Sequence, residues 1–350
     1  MIYLKRKIHF TLFFIIALAV FNGGIMADQN NSIQAQDRHL IVMAAPSVNN
    51  SYYRDFFQDL IVFNIAMANA ITGNDQIVIL VDKKTKKYFN GKISKDILLE
   101  SDIADIWVRD IGTVFPKNPM KFVYRPDYLE KAVSHGIDTS FRQFTNQAEL
   151  KFRQSTIVID GGNFVDNGLD KAVLTERIFK NNPTFQKQDL IQAIKQETGL
   201  SEIAVVPEEE GDTTGHSDGM VMWASESKLL VNKFEEPFRS KVLSALKLSL
   251  PGVDIIEIPR YLSSVIYDGF PSAAGIYVNS IVTEKYIYMP MFRKPDEDTQ
   301  LLKLIQSHTS KKVIPVYARK VADLGGSVRC LSFQLKGEFA KKLITLARIH

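Results

Sequence analysis

Residues 219–258, GMVMWASESKLLVNKFEEPFRSKVLSALKLSLPGVDIIEI, carry the pattern on which the fold turns. Gly219–Trp223 and Lys228–Asn232 are short apolar runs separated by the polar residues Ser225-Glu226-Ser227, and they read as a hairpin. Pro237–Leu250 changes to helical periodicity, and Asp254–Ile258 returns to an apolar strand. The same texture extends outward. Strands are read at Leu40–Pro46, Gln76–Asp82, Ile103–Val108, Lys121–Tyr124, Ser155–Asp160, Ala172–Leu174, Glu202–Val206, Gly275–Val282, Lys285–Met291 and Val313–Ala318. Helices are read at Ser51–Thr72, Gln188–Glu197 with Gly199 as C-cap, Asp296–His308 with acids in its first turn, and Gly337–Ala347. Hairpins alternate with single helices, which predicts one α/β domain of repeated small units rather than a doubly wound sheet. No glycine-rich phosphate loop follows a strand, so nucleotide-binding readings lose support.

The 350 residues are 45% hydrophobic and 23% charged, enough to build a sizeable core. Residues 1–27 read as a secretory signal peptide: Lys5, Arg6 and Lys7 precede the apolar run Phe10–Phe21, and Ala27 is a fitting last residue before cleavage. The expected products are a leader and one domain, 28–350, that is secreted or periplasmic. Without Lys5, Arg6 and Lys7 the 43 basic residues fall to 40, against 39 acidic ones. No basic stripe stands out, so no nucleic-acid partner is expected. No later stretch is long and apolar enough to span a bilayer, so no stable membrane association is expected once the leader is gone.

Cys330 is the single cysteine. Composition alone makes it a buried bystander, since free cysteine is among the most buried residue types. Its setting, Gly325-Gly326-Ser327-Val328-Arg329-Cys330 at the start of a strand, suits an exposed nucleophile better.

Three further polar segments stand at strand ends. Trp107-Val108-Arg109-Asp110-Ile111-Gly112, taken alone, reads as a surface Arg–Asp pair beside a half-buried tryptophan. Asp160-Gly161-Gly162-Asn163 alone reads as a turn in which glycines supply positive φ. In Gly215-His216-Ser217-Asp218-Gly219, His216 and Asp218 share one face of extended backbone. His216 alone reads as a structural histidine, and a metal site lacks the further ligands at close spacing. Together, a thiol, an imidazole and surplus carboxylates exceed what a cysteine protease needs. They suit a cationic substrate, above all a guanidinium, whose planar fork of N–H groups carboxylates accept bidentately.

In this order, the W-x-R-D-x-G, D-G-G-N, G-H-x-D, Tyr277-Val278-Asn279 and G-G-x-x-x-C segments resemble the agmatine deiminase and bacterial-type peptidylarginine deiminase family, from about Leu40 to about Lys336. The resemblance implies a single-domain, five-fold pseudo-symmetric α/β propeller, the pentein fold. It also implies hydrolysis of a guanidine to a urea with release of ammonia, without metal or organic cofactor. It makes Cys330 the nucleophile and His216 the general acid and base. Asp110 and Asp218 grip the guanidinium, Trp107 flanks the aliphatic stem, and Asn279 lies near the site. Asp160 stands where agmatine-specific members carry glutamate, and is expected to bind substrate. Phe122-Val123-Tyr124-Arg125-Pro126 is similar to the segment whose arginine holds a C-terminal carboxylate in the peptide-acting branch, so Arg125 is a candidate clamp, or else an exposed loop arginine. These departures and the leader predict deimination of arginine in peptides to citrulline. The alternatives are agmatine hydrolysis to N-carbamoylputrescine and a non-catalytic binder of arginine-like cations. Glu208-Glu209-Glu210 is expected to be a solvated loop, or a gate over the cleft.

Overall fold

A computed structural model describes residues 38–349. The expected leader lies outside the described residues. From His39 onward the chain forms one compact unit.

The hairpin read at residues 219–232 is present: Val221–Ser225 pairs antiparallel with Lys228–Asn232, and Asp254–Ile258 joins it in parallel after the helix Phe238–Ser249. This hairpin–helix–parallel-strand unit recurs. Val165–Asp166 and Lys171–Thr175 form a hairpin, which Glu202–Val206 extends after the helix Lys187–Thr198. Ile281–Val282 and Tyr286–Met291 are extended by Lys312–Tyr317 after the helix Pro295–Ser307. Met120–Val123 pairs in parallel with Arg153–Val158 across the helix Lys131–Gln147, with Val114 bridged antiparallel to Met120. The fifth unit joins the chain's two ends. Ser332–Leu335 pairs antiparallel with Leu40–Ala44, and Gln76–Val81 then Leu98–Glu100 extend that sheet in parallel. Five such sheets make the molecule a five-fold pseudo-symmetric α/β propeller. A separate hairpin, Ile266–Tyr267 with Phe270–Pro271, stands outside them.

The central strands read as continuous apolar runs because both faces are covered: Leu40–Ala44 and its neighbour Gln76–Val81 are buried almost throughout. Helices close where the sequence provides for it. Gly199 takes φ 79° and its N–H bonds to the Lys195 carbonyl, the left-handed cap that glycine reaches at no steric cost. No helix among the described residues is long and apolar enough to cross a membrane.

Two expected strands are absent. Residues 103–107 are irregular and lead into the short helix Val108–Ile111; Asp105 pins this turn by accepting from the Tyr53 hydroxyl at 2.5 Å and the Ile106 N–H at 2.7 Å. Residues 275–280 are also irregular, with only Ile281–Val282 in a strand. The second is apolar because it is buried, not because it is extended, and in the first only Ile106 is buried. Conversely, Lys131–Gln147 is a helix that the sequence reading did not anticipate. It covers the fully buried Lys121, whose ammonium lies 2.6 Å from Asp138. Removing that partner strands a buried charge. Asp138→Ala is expected to lower unfolding free energy by about 3 kcal/mol in urea titrations; a change below about 1 kcal/mol would mean the ammonium finds water or another acceptor.

Candidate active site

Each propeller unit contributes one chemical segment, always from the loop leading into the first strand of its hairpin. Trp107–Gly112 precedes Val114, Asp160–Asn163 precedes Val165, Gly215–Gly219 precedes Val221, Tyr277–Asn279 precedes Ile281, and Gly325–Cys330 precedes Ser332. Pseudo-symmetry turns these equivalent loops toward one centre. There a cavity of about 720 Å³ is lined by Trp107, Asp110, His216, Asp218, Asn279 and Cys330.

The Cys330 turn is organised by Asn279. The Asn279 amide N–H donates to Cys330 Sγ at 3.1 Å, while its carbonyl oxygen accepts from the Ser327 hydroxyl at 3.0 Å and the Arg329 N–H at 3.2 Å. The Cys330 thiol lies 3.8 Å from Asp218 Oδ2, which also receives Arg329 Nη1 at 2.8 Å. On the other wall, His216 Nε2 lies 3.2 Å from Asp160 Oδ2, and Nδ1 lies 3.7 Å from Asp110 Oδ1. Asp110 is held by the Gly162 N–H at 3.1 Å.

The paired glycines serve proximity rather than positive φ, which neither adopts. A Cβ on Gly161 would sit 2.0 Å from the Arg109 carbonyl oxygen, and one on Gly162 would sit 2.4 Å from His216 Nδ1. A Cβ on Gly326 would sit 2.6 Å from the Trp107 ring. Side chains there would push apart the three walls of the cavity.

Burial, then Asp218 and Asp110, push the Cys330 thiol well above its ordinary range, so the empty site holds a neutral thiol. Burial opposes the His216 cation, but Asp110 and Asp160 outweigh it and push the imidazole up to about 10. Burial pushes Asp110 up to about 7 against the pull of His216. The empty site therefore pairs a protonated imidazole with a protonated thiol, and an entering cation shifts the balance toward thiolate.

Six of the eight expected residues line the cavity: Cys330, His216, Asp110, Asp218, Trp107 and Asn279. Asp160 does not. It is buried, with Oδ2 3.2 Å from His216 Nε2. Arg125 is exposed and outside the lining, although Tyr124 and Tyr128 on either side of it face the cavity. Glu208-Glu209-Glu210 is more tied down than a solvated loop: Glu208 pairs with Arg177 at 3.0 Å, and Glu209 with Arg260 at 2.5 Å, while Glu209 and Glu210 line the mouth. The sequence reading gave no role to Arg260, the one arginine in the lining, or to Arg329, which clamps Asp218. Only tertiary proximity identifies them.

The Porphyromonas-type peptidyl-arginine deiminase family matches residues 33–335. Among curated proteins, the agmatine deiminase of Ectopseudomonas mendocina is 21% identical over 319 residues, covering 77% of this chain and 85% of that protein. Among solved structures, C. jejuni agmatine deiminase superposes with a TM-score of 0.72 at 17% identity, over 86% of this chain and 94% of that one. The agmatine deiminase of Enterococcus faecalis gives 0.72 at 15% identity, over 87% and 94%. These likenesses bear out the propeller.

Proposed function

Because this chain belongs to the Porphyromonas-type peptidyl-arginine deiminase family and is a hydrolase of the C–N bonds of linear amidines, we propose that it acts on a small arginine-derived amine: it converts agmatine to N-carbamoylputrescine and ammonia. The observation that carries this choice is the charge of the cavity. Seven acids line it, Asp105, Asp110, Asp218 and Asp268 with Glu209, Glu210 and Asp212, against two cations, Arg260 and the protonated His216. That field suits a substrate with a cation at each end and repels a peptide's terminal carboxylate. The two residue-based reasons for a peptide substrate lapse, since Asp160 backs the imidazole and Arg125 lies off the cavity. The relatives' names point the same way. Export through a leader at residues 1–27 remains part of the proposal; sequencing the N-terminus of protein recovered outside the cytoplasm checks it.

The chemistry follows from the groups in place. The guanidinium enters between Asp110 and Asp218, and its charge favours loss of the Cys330 proton to solvent. The thiolate attacks the central carbon, and one nitrogen leaves as ammonia after taking a proton from the His216 imidazolium. A thiouronium remains on Cys330. Neutral His216 then removes a proton from water, which adds to the same carbon, and collapse expels the thiolate and the urea product. Trp107 and the tyrosines at 124 and 128 provide apolar walls for the stem.

A panel of agmatine, free arginine and peptides ending in arginine tests the substrate. Agmatine is expected to lead in kcat/KM by at least about tenfold. Citrullinated peptide as the preferred product would overturn the choice. The pH profile tests the acid. His216 loses its proton only near pH 10, so the alkaline limb of kcat/KM is expected there; a limb near the ordinary imidazole value would deny it the role. The same raised value means that His216 stabilises the folded chain at neutral pH, a contribution lost as pH climbs through about 10.

A further inference from the structure

A second cavity has a volume of about 580 Å³ and is lined by chain neighbours of residues that line the first. Chain neighbours divide between the two: Asp110, Asn279 and Cys330 face the acidic cavity, while Arg109, Val278 and Arg329 face the other. The second cavity is opposite in sign, with six basic and three acidic side chains in its lining.

Its innermost polar groups lack partners. Arg109 is 5% exposed, and among the described residues its guanidinium forms no hydrogen bond and no ion pair. Thr113, one turn further on and 1% exposed, has a buried hydroxyl without a partner. His39, on the same lining, has an unpartnered Nδ1. Asp218, Asp166 and Asp110 attract the guanidinium, but none accepts a hydrogen bond from it and burial outweighs them. Burial, then the neighbouring Arg329, pull Arg109 down to about 9. Asp166, the acid on that wall, is pushed up by burial and already accepts from the Gly168 N–H at 2.9 Å. A buried guanidinium without a hydrogen-bond acceptor, on a lining that also carries a second arginine and an unpartnered hydroxyl and imidazole nitrogen, leaves room for an anionic acceptor.

We propose that this cavity binds a small oxyanion, a carboxylate or inorganic phosphate, held by Arg109 and Thr113, and that the anion tightens substrate binding in the adjoining active site. The link is Arg329, which lines the second cavity while holding Asp218. Negative charge beside Arg329 offsets the cation that partly neutralises Asp218, leaving Asp218 a stronger acceptor for a guanidinium.

Isothermal titration of the full chain with sodium phosphate, and separately with sodium succinate, at constant ionic strength tests the site. At least one is expected to bind saturably at one site per chain, and the two arms tell phosphate from carboxylate. Arg109→Met is expected to abolish binding. Thr113→Val, which removes a hydroxyl that has no native partner and so leaves fold and basal turnover intact, is expected to weaken it about tenfold. No binding of either anion, or binding indifferent to Thr113→Val, would overturn the site. In turnover, saturating anion is expected to lower KM for agmatine about fivefold in the parent and not in Thr113→Val. An unchanged KM in the parent would overturn the coupling. The titration does not depend on which guanidine is the substrate, so failure of the agmatine reading and failure of the site are separable.

Discussion

Cys330→Ala is expected to abolish ammonia release, with kcat falling by about 10⁶-fold, the size of loss that follows removal of a catalytic nucleophile. Substrate affinity is expected to survive. Asp110 and Asp218 are the proposed contacts to the cation, and both stay in place: Asp110 is held by the Gly162 N–H and Asp218 by Arg329. A dissociation constant within a few-fold of the parent's KM, measured by calorimetry, would accompany the lost turnover. The two readouts separate a chemical role from a structural one. Cys330 packs in a turn whose other ties, from Asn279 to Ser327 and Arg329, do not involve sulfur. Retained turnover in the alanine variant would remove the thiol from the mechanism, and joint loss of binding and turnover would mean that the turn itself had collapsed.

Asp160→Asn is expected to cost about 10³- to 10⁴-fold in kcat with KM nearly unchanged. Asp160 lies 3.2 Å from His216 Nε2 and outside the cavity lining, so its effect passes through the imidazole. The carboxylate fixes which nitrogen faces the reaction and stabilises the protonated ring, work that a neutral amide of the same shape does poorly. The pH profile should register the change independently. With one of its carboxylates gone, His216 falls from about 10 toward its ordinary value, and the alkaline limb moves to lower pH. A raised KM with an unmoved limb would return Asp160 to direct contact with substrate.

The repeat was legible because its strands are buried on both faces and read as clean apolar runs; residues 219–258 alone display a whole unit. Apolar content is also what misled. Residues 103–107 and 275–280 carry the same apolar content in irregular backbone, tied by Asp105 in the first case and built around the turn that presents Asn279 in the second. An apolar run reports where a segment sits, not how its backbone is bent. The helix Lys131–Gln147 escaped notice for the reverse reason: it is polar overall, and its apolar side is limited mainly to Ile137, Phe141 and Phe144. The site was legible as a set of segments, since pseudo-symmetry puts one in each unit at the same point. The placement of Asp160 was not, because an aspartate on the cavity lining and one against a histidine look alike in sequence. Arg125 stands beside two cavity-lining tyrosines in the chain yet faces outward, whereas Arg260, distant from every motif, reaches the mouth.

The central claim is that the sulfur of Cys330 bonds to the guanidine carbon. Rapid acid quenching during turnover of agmatine, followed by mass spectrometry of the peptide that contains Cys330, measures this directly. The expected result is an adduct on Cys330 with the mass of the substrate less ammonia, which rises and falls as turnover proceeds. Full turnover with Cys330 unmodified at every quench time would contradict it.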